Sequence, residues 1–142
     1  MADRIRLTCW PTPERYGLGI QIQRLDGLLH NTIEEIVQID TGYSETMLIP
    51  YPLYRRLELE HWRVPHLIKP HGTAVTGQVI AFIEANARVV IPQTGQIFST
   101  IIQTFEGNTR FLIGRALLHQ IKVLLDGPGG QTCLLSPIGN EE

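Results

Sequence analysis

The segment Ile39-Asp40-Thr41-Gly42-Tyr43-Ser44-Glu45-Thr46-Met47-Leu48-Ile49-Pro50 carries the clearest chemical signal in the chain. A short carboxylic acid, Asp40, ends an apolar run and is followed at once by a hydroxyl and a glycine. Burying an aspartate there is costly unless it is hydrogen-bonded or shares a proton. The Thr41 hydroxyl and the open backbone of Gly42 can supply such bonds, which suits a carboxylate held rigidly at the floor of a cleft. The triplet alone is a weak signal, expected by chance in roughly one chain of this size in thirty. Asp and Gly are also turn residues. The context argues against a plain turn, because Val37-Gln38-Ile39 precedes the triplet and the apolar run Thr46–Pro50 follows.

A second segment, Phe111 to Asp126 (FLIGRALLHQIKVLLD), reads as two apolar residues, a glycine, a short helix and an apolar strand. Other candidate groups are weaker. His61, His66 and His71 recur every five residues, a spacing that fits neither a helical metal pair nor a cysteine-containing site. With Pro65 and Pro70 interleaved they read as a solvated loop, and His30 and His119 as single surface or capping residues. Gly17 and Gly19 lack the third glycine and βαβ context of a dinucleotide site. Ser44 has no histidine nearby and no nucleophile elbow. Trp10 and Trp62 read as packing residues. No metal and no cofactor is expected.

The chain has 142 residues, 12 Lys and Arg against 14 Asp and Glu, and a net charge of −2. Such a chain carries no basic field, so neither nucleic acid nor an anionic membrane is an expected partner. A nucleic-acid-binding barrel is disfavoured on the same ground. Charged residues are only 18 %, below the roughly 25 % of an average soluble protein, which favours a surface partly covered by a partner. Cys9 and Cys133 are too few for a disulfide scaffold; they pair if the termini meet, but reduced thiols in a cytoplasmic protein are the expectation. The first twenty residues lack the apolar core of a leader, and no run approaches the ~20 apolar residues of a membrane span.

The elements around these motifs are strands. Residues 17–25 alternate Leu18, Ile20 and Ile22 with Gln21 and Gln23 before the turn signal Asp26-Gly27. Residues 32–39 are rich in β-branched side chains and 46–50 form a short apolar run. Pro52, Leu53 and Leu57 predict a brief helix over 52–58. Residues 72–83 place Gly77-Gln78 between two β-prone runs, which suits a two-residue type II′ hairpin. Strands are predicted at 87–91 and 97–105. One or two helical turns follow Gly114, and strands at 123–126 and 131–135 flank Gly127-Pro128-Gly129-Gly130. The sum is one mainly-β domain over residues 1–142, a small closed barrel or a compact pair of sheets.

At this point the chain resembles the retropepsins, the retroviral-type aspartic peptidases, in the form of a single-domain bacterial-type member. Asp40-Thr41-Gly42 matches their D-T/S-G loop, and Ile113-Gly114-Arg115-Ala116-Leu117-Leu118 matches their later I-I-G-R-N-L-L segment. The Gly77 hairpin lies between them where the family has its flap. The resemblance covers about residues 18–126 and implies a closed β-barrel protomer with one short C-terminal helix, working as a homodimer.

It implies an aspartic endopeptidase with Asp40, Thr41 and Gly42 in the catalytic loop. Only one such loop is present, so the paired carboxylates come from two copies about a twofold axis. Thr41 then bonds across that axis and Gly42 accepts a substrate main-chain bond. A peptide or protein substrate lies as an added strand between Tyr43 on the floor and Val75, Thr76, Gly77, Gln78 and Val79 in the flap. Ile113, Gly114 and Arg115 are structural support. The chain departs from the family at Tyr43, usually small, and at Ser44, where an Asp normally meets the arginine matching Arg115. Glu45 or a residue of the other copy replaces it here. Retroviral dimers interleave their chain ends, a part open to residues 4–10 and 131–135. The alternative function is a silent retropepsin-like module for dimerisation or peptide binding.

Overall fold

In a computed structural model, residues 4–27, 32–66, 70–73 and 77–137 are described. Val75, Thr76 and His30 lie outside them. The chain runs through β1 (Ile5–Pro11), β2 (Gly17–Gln23), β3 (Glu35–Ile39), β4 (Met47–Leu48), α1 (Tyr51–Arg56), a 3-10 turn (Leu59–Trp62), β5 (His71–Thr73) and β6 (Val79–Ala81). It continues with β7 (Ile83–Ile91), β8 (Gln96–Thr104), β9 (Leu112–Ile113), α2 (Arg115–Leu118), β10 (Lys122–Asp126) and β11 (Gln131–Pro137).

Six strands close a barrel in the order β2-β3-β9-β4-β8-β7. The alternation in the sequence is what fills it. Leu18, Ile20 and Ile22 of β2 point inward, as do Ala85, Ala87, Val89 and Ile91 of β7, because successive side chains in a strand leave opposite faces. Val37, Met47, Ile49, Ile102, Ile113 and Leu117 complete the core. Most neighbours are antiparallel, but β3 runs parallel to β9, with Gln38 beside Leu112 and Ile39 beside Ile113. That parallel step brings the two sequence motifs into register.

The helix over 51–56 begins at Pro50, with Pro52 in its first turn, where a missing N–H costs nothing. It stops two residues short of the sequence estimate because Glu58 takes the left-handed conformation (φ 53°) and starts the 3-10 turn. The helix after Gly114 is a single turn.

Two expectations are corrected. The hairpin β5–β6 pairs Thr73 with Val79, so a five-residue connection over 74–78 joins its strands, not a two-residue turn at Gly77-Gln78. Gly77 takes the left-handed conformation there (φ 86°). Second, Cys9 and Cys133 form a disulfide. They sit directly opposite each other where β1 pairs antiparallel with β11, so the barrel has brought the two ends together. The bond withdraws the argument from reduced thiols to a reducing compartment. Together with β10 these strands make a separate sheet in the order β1-β11-β10. The ends expected to interleave with another copy are thus already paired within one chain. Among the described residues no helix is long and apolar enough to cross a membrane.

Candidate functional site

Asp40 leaves the end of β3, where its amide donates to the carbonyl of Ile113 at 2.9 Å. Its Oδ1 accepts the Gly42 amide at 2.9 Å, and its carbonyl accepts the Tyr43 amide at 3.1 Å. The loop is therefore a self-bonded turn with a carboxylate on its inner edge. Of the two partners expected, Gly42 supplies its bond. Thr41 is exposed, and its hydroxyl makes no hydrogen bond among the described residues. The Asp40 side chain is 32 % exposed in the protomer.

The second motif closes on the first. The Gly114 amide donates to Thr46 O at 2.9 Å, the Arg115 amide to Tyr43 O at 2.8 Å and the Ala116 amide to Glu45 O at 3.3 Å. Gly114 is required by space: a Cβ there would strike the Glu45 carbonyl and come within 2.6 Å of Tyr43 Cδ2. Ile113 is fully buried beneath. The Arg115 side chain is exposed, and Glu45 does not pair with it. Among the described residues its guanidinium has no ion-pair partner.

Tyr43 is held at both ends. Its ring packs over Gly114, and its hydroxyl donates to Gln103 Oε1 at 2.7 Å, with Met47 O at 3.3 Å. Gln103 Nε2 donates to Glu84 Oε2 at 2.7 Å, and Glu84 Oε1 accepts from His66 Nε2 at 2.8 Å. Burial, reinforced by the charges of Glu45 and Glu84, pushes the phenol well above its ordinary pKa, so it stays neutral. His66, read from the sequence as a solvated loop residue, is thus the outer end of a polar chain from the Asp40 loop through β8 and β7. Among the described residues no cluster of His, Cys, Asp or Glu is arranged to hold a metal.

Sequence reasoning missed Arg110, whose Nη2 lies 4.0 Å from Asp40 Oδ2. Its backbone is clamped by the buried Asn108: the Arg110 amide donates to Asn108 Oδ1 at 3.0 Å, and Asn108 Nδ2 donates to Arg110 O at 3.1 Å and Ile49 O at 2.6 Å. The signal available was an asparagine two residues before an arginine, a local side-chain-to-backbone turn motif. The same loop borders a groove of about 470 Å³ against β6, lined by Gln78, Val79, Ala81, Phe82, Phe105 and Glu106. Gln78 and Val79 of the expected flap are among its lining residues; Gly77, Asp40 and Tyr43 are not.

Compared with solved structures, the chain superimposes on EIAV protease, determined in complex with the inhibitor HBY-793, with a TM-score of 0.54. The match covers 82 % of this chain and 98 % of that one, at 18 % identity. The chain has a retropepsin-like fold. No family model matches the sequence. A curated relative, an uncharacterized protein of Archaeoglobus fulgidus, is 26 % identical over 91 residues, spanning 62 % of this chain and 66 % of its own length.

Proposed function

We propose that this protein is an aspartic endopeptidase assembled from two copies, with Asp40 of each forming the catalytic pair. The observation that carries the reading is the lock between the Asp40 loop and the Gly114–Ala116 turn: four main-chain bonds fix a carboxylate at the end of a barrel strand in a retropepsin-like fold. Two carboxylates about 3 Å apart share one proton, because both cannot ionise at that distance. The ionised member takes a proton from the attacking water while its protonated partner polarises the scissile carbonyl. Thr41, exposed at the rim, is free to bond across the twofold, and the Gly42 backbone faces substrate.

The substrate in this proposal is an extended peptide, paired as a strand between the floor and the hairpin that includes Val75, Thr76, Gly77, Gln78 and Val79. Closing the hairpin excludes water and strengthens the electrostatics of the pair. Arg110 stands beside the carboxylate, where it meets the substrate side chain next to the scissile bond.

Peptide cleavage measured from about pH 3 to about pH 7 tests the reading. The native chain is expected to show an acidic optimum, since the pair must hold a single proton. Asp40→Asn, which keeps the shape and removes the shared proton, is expected to lower kcat by about 10²–10⁴-fold. Equal, negligible rates in both proteins would assign the fold to a silent binding module instead.

A further inference from the structure

Arg110 is fixed at its backbone and loose at its tip. The carboxamide of Asn108, a residue only 2 % exposed, accepts the Arg110 amide, donates to the Arg110 carbonyl and reaches Ile49 O as well. A buried side chain bonded on three sides in this way holds the main chain at residue 110 against the barrel. The guanidinium has no such restraint. Its side chain is 64 % exposed, and Nη2 stops 4.0 Å from Asp40 Oδ2, beyond hydrogen-bond reach. Among the described residues no other carboxylate lies within ion-pair distance of it. A long, exposed contact of this kind leaves most of the charge uncompensated.

A guanidinium stays charged at every pH of interest and presents its N–H donors as a planar fork that matches a carboxylate. When two Asp40 side chains are brought together, the imbalance grows. Each copy brings one Arg110 and one Asp40, but the two carboxyls share a proton, so two guanidinium charges face a single carboxylate charge. The centre then lacks one negative charge beside the bond to be cut, and a carboxylate on the substrate supplies it. The chain as a whole carries a net charge of −2, which repels acidic peptides, so a preference for them has to arise locally.

We propose that Arg110 makes this protein selective for an acidic residue, Asp or Glu, beside the scissile bond. The guanidinium exchanges its long contact with Asp40 for a forked pair with the substrate carboxylate. This selectivity rests on the reading of Asp40 as half of the catalytic pair. Two copies place one Arg110 on each side of the bond, so the acid is accepted on either side. A lysine there sets like charges together and is rejected.

Two measurements on the full chain test it. Fluorescence anisotropy at about pH 6, where peptide carboxylates are ionised, follows labelled peptides whose central pair is Glu-Glu, Gln-Gln or Lys-Lys. They are bound to Asp40→Asn, so that none is cut. The Glu peptide is expected to bind about fivefold tighter than the Gln peptide, the scale of an exposed ion pair, and the Lys peptide most weakly. In the same background Arg110→Gln is expected to remove the Glu advantage and Arg110→Glu to pass it to Lys. Both variants keep the Asn108 bonds, which reach only backbone atoms of residue 110, and circular dichroism checks that each is folded. The second measurement is cleavage of a randomised peptide library by the native chain, read by mass spectrometry. Asp and Glu are expected to be enriched beside the cut bonds at about pH 6, and the enrichment to vanish below about pH 4 as the substrate carboxyls take up protons. A preference set by shape alone would not follow pH. Equal binding of the Glu and Gln peptides, an order that Arg110→Glu leaves unchanged, or no binding of any peptide overturns the proposal. The two readings fail separately: selective binding without cleavage keeps Arg110 as the selector and removes the peptidase, and cleavage with no acid beside the cut bonds keeps the peptidase and removes the selector.

Discussion

The Asp40 loop and the hairpin β5–β6 lie on the same protomer and are built on opposite plans. Four main-chain bonds join residues 40–46 to 113–116, over a core in which Ile113, Met47 and Leu117 are wholly buried. The hairpin has three residue pairs of its own, with Val79 65 % exposed. The Phe82 amide bonded to Pro70 O closes its base, and Phe82 meets Phe105, just past the end of β8, edge to face at 5.8 Å. Local stability follows buried contacts and the bonds that cross between distant segments. On the proposed function, a carboxylate that must meet a twin belongs on the first kind of structure, and a cover that must admit a peptide on the second.

The sharpest way to break this contrast is one substitution made at two glycines. Gly114→Ala drives a Cβ into the Glu45 carbonyl and the Tyr43 ring, and neither can yield without opening the lock. The expected loss is about 3 kcal/mol or more in denaturant unfolding, with cleavage lost as well.

Tyr43→Phe is the intermediate case. It leaves the buried Gln103 Oε1 without its donor, at about 1–2 kcal/mol. The pH dependence carries the same information with a definite sign. The folded phenol is held above its ordinary pKa, so its contribution is complete below about pH 10 and declines as alkali ionises the unfolded tyrosine. The slope is at most about 1.4 kcal/mol per pH unit. Urea titrations at rising pH are expected to show that slope in the native chain and a shallower one in Tyr43→Phe, where Tyr54, also raised by burial, still contributes.

The smallest effect is expected at Gly77. Its φ is 86°, but among the described residues nothing lies within 4 Å of the added Cβ. Gly77→Ala therefore meets only a backbone cost of about 1 kcal/mol, read as changed amide exchange in Val79–Ala81 with little change in global unfolding. A large global loss there would show that the hairpin is as firmly built as the floor.

Much of the floor was legible from local pattern. The alternation of Leu18, Ile20 and Ile22 marks an inward face within a few residues, and the apolar pair, glycine and helical turn around Gly114 read off the sequence in that order; that Gly114 is needed for a close backbone approach came only with the structure. The hairpin was legible in place but not in form: glycine signals left-handed backbone, yet the turn length is set by which strand residues pair. Asp40 needed the second motif, because a triplet that recurs by chance acquires meaning only from what packs behind it.

The sequence alone determined that strands dominate, where they begin and turn, and that one acidic loop and one glycine turn must meet. The strands rest on interactions between near neighbours, which a short window of residues records, while the meeting of the two motifs was an expectation carried by the resemblance and is made by the long-range step from β3 to β9. Only the tertiary structure decided that Arg110 stands beside Asp40, that Tyr43 is linked through Gln103 and Glu84 to His66, and that Cys9 lies opposite Cys133. Those contacts depend on the register of strands far apart in the chain. A shift of one residue would turn every side chain to the other face, and that choice is made by the whole packed barrel at once.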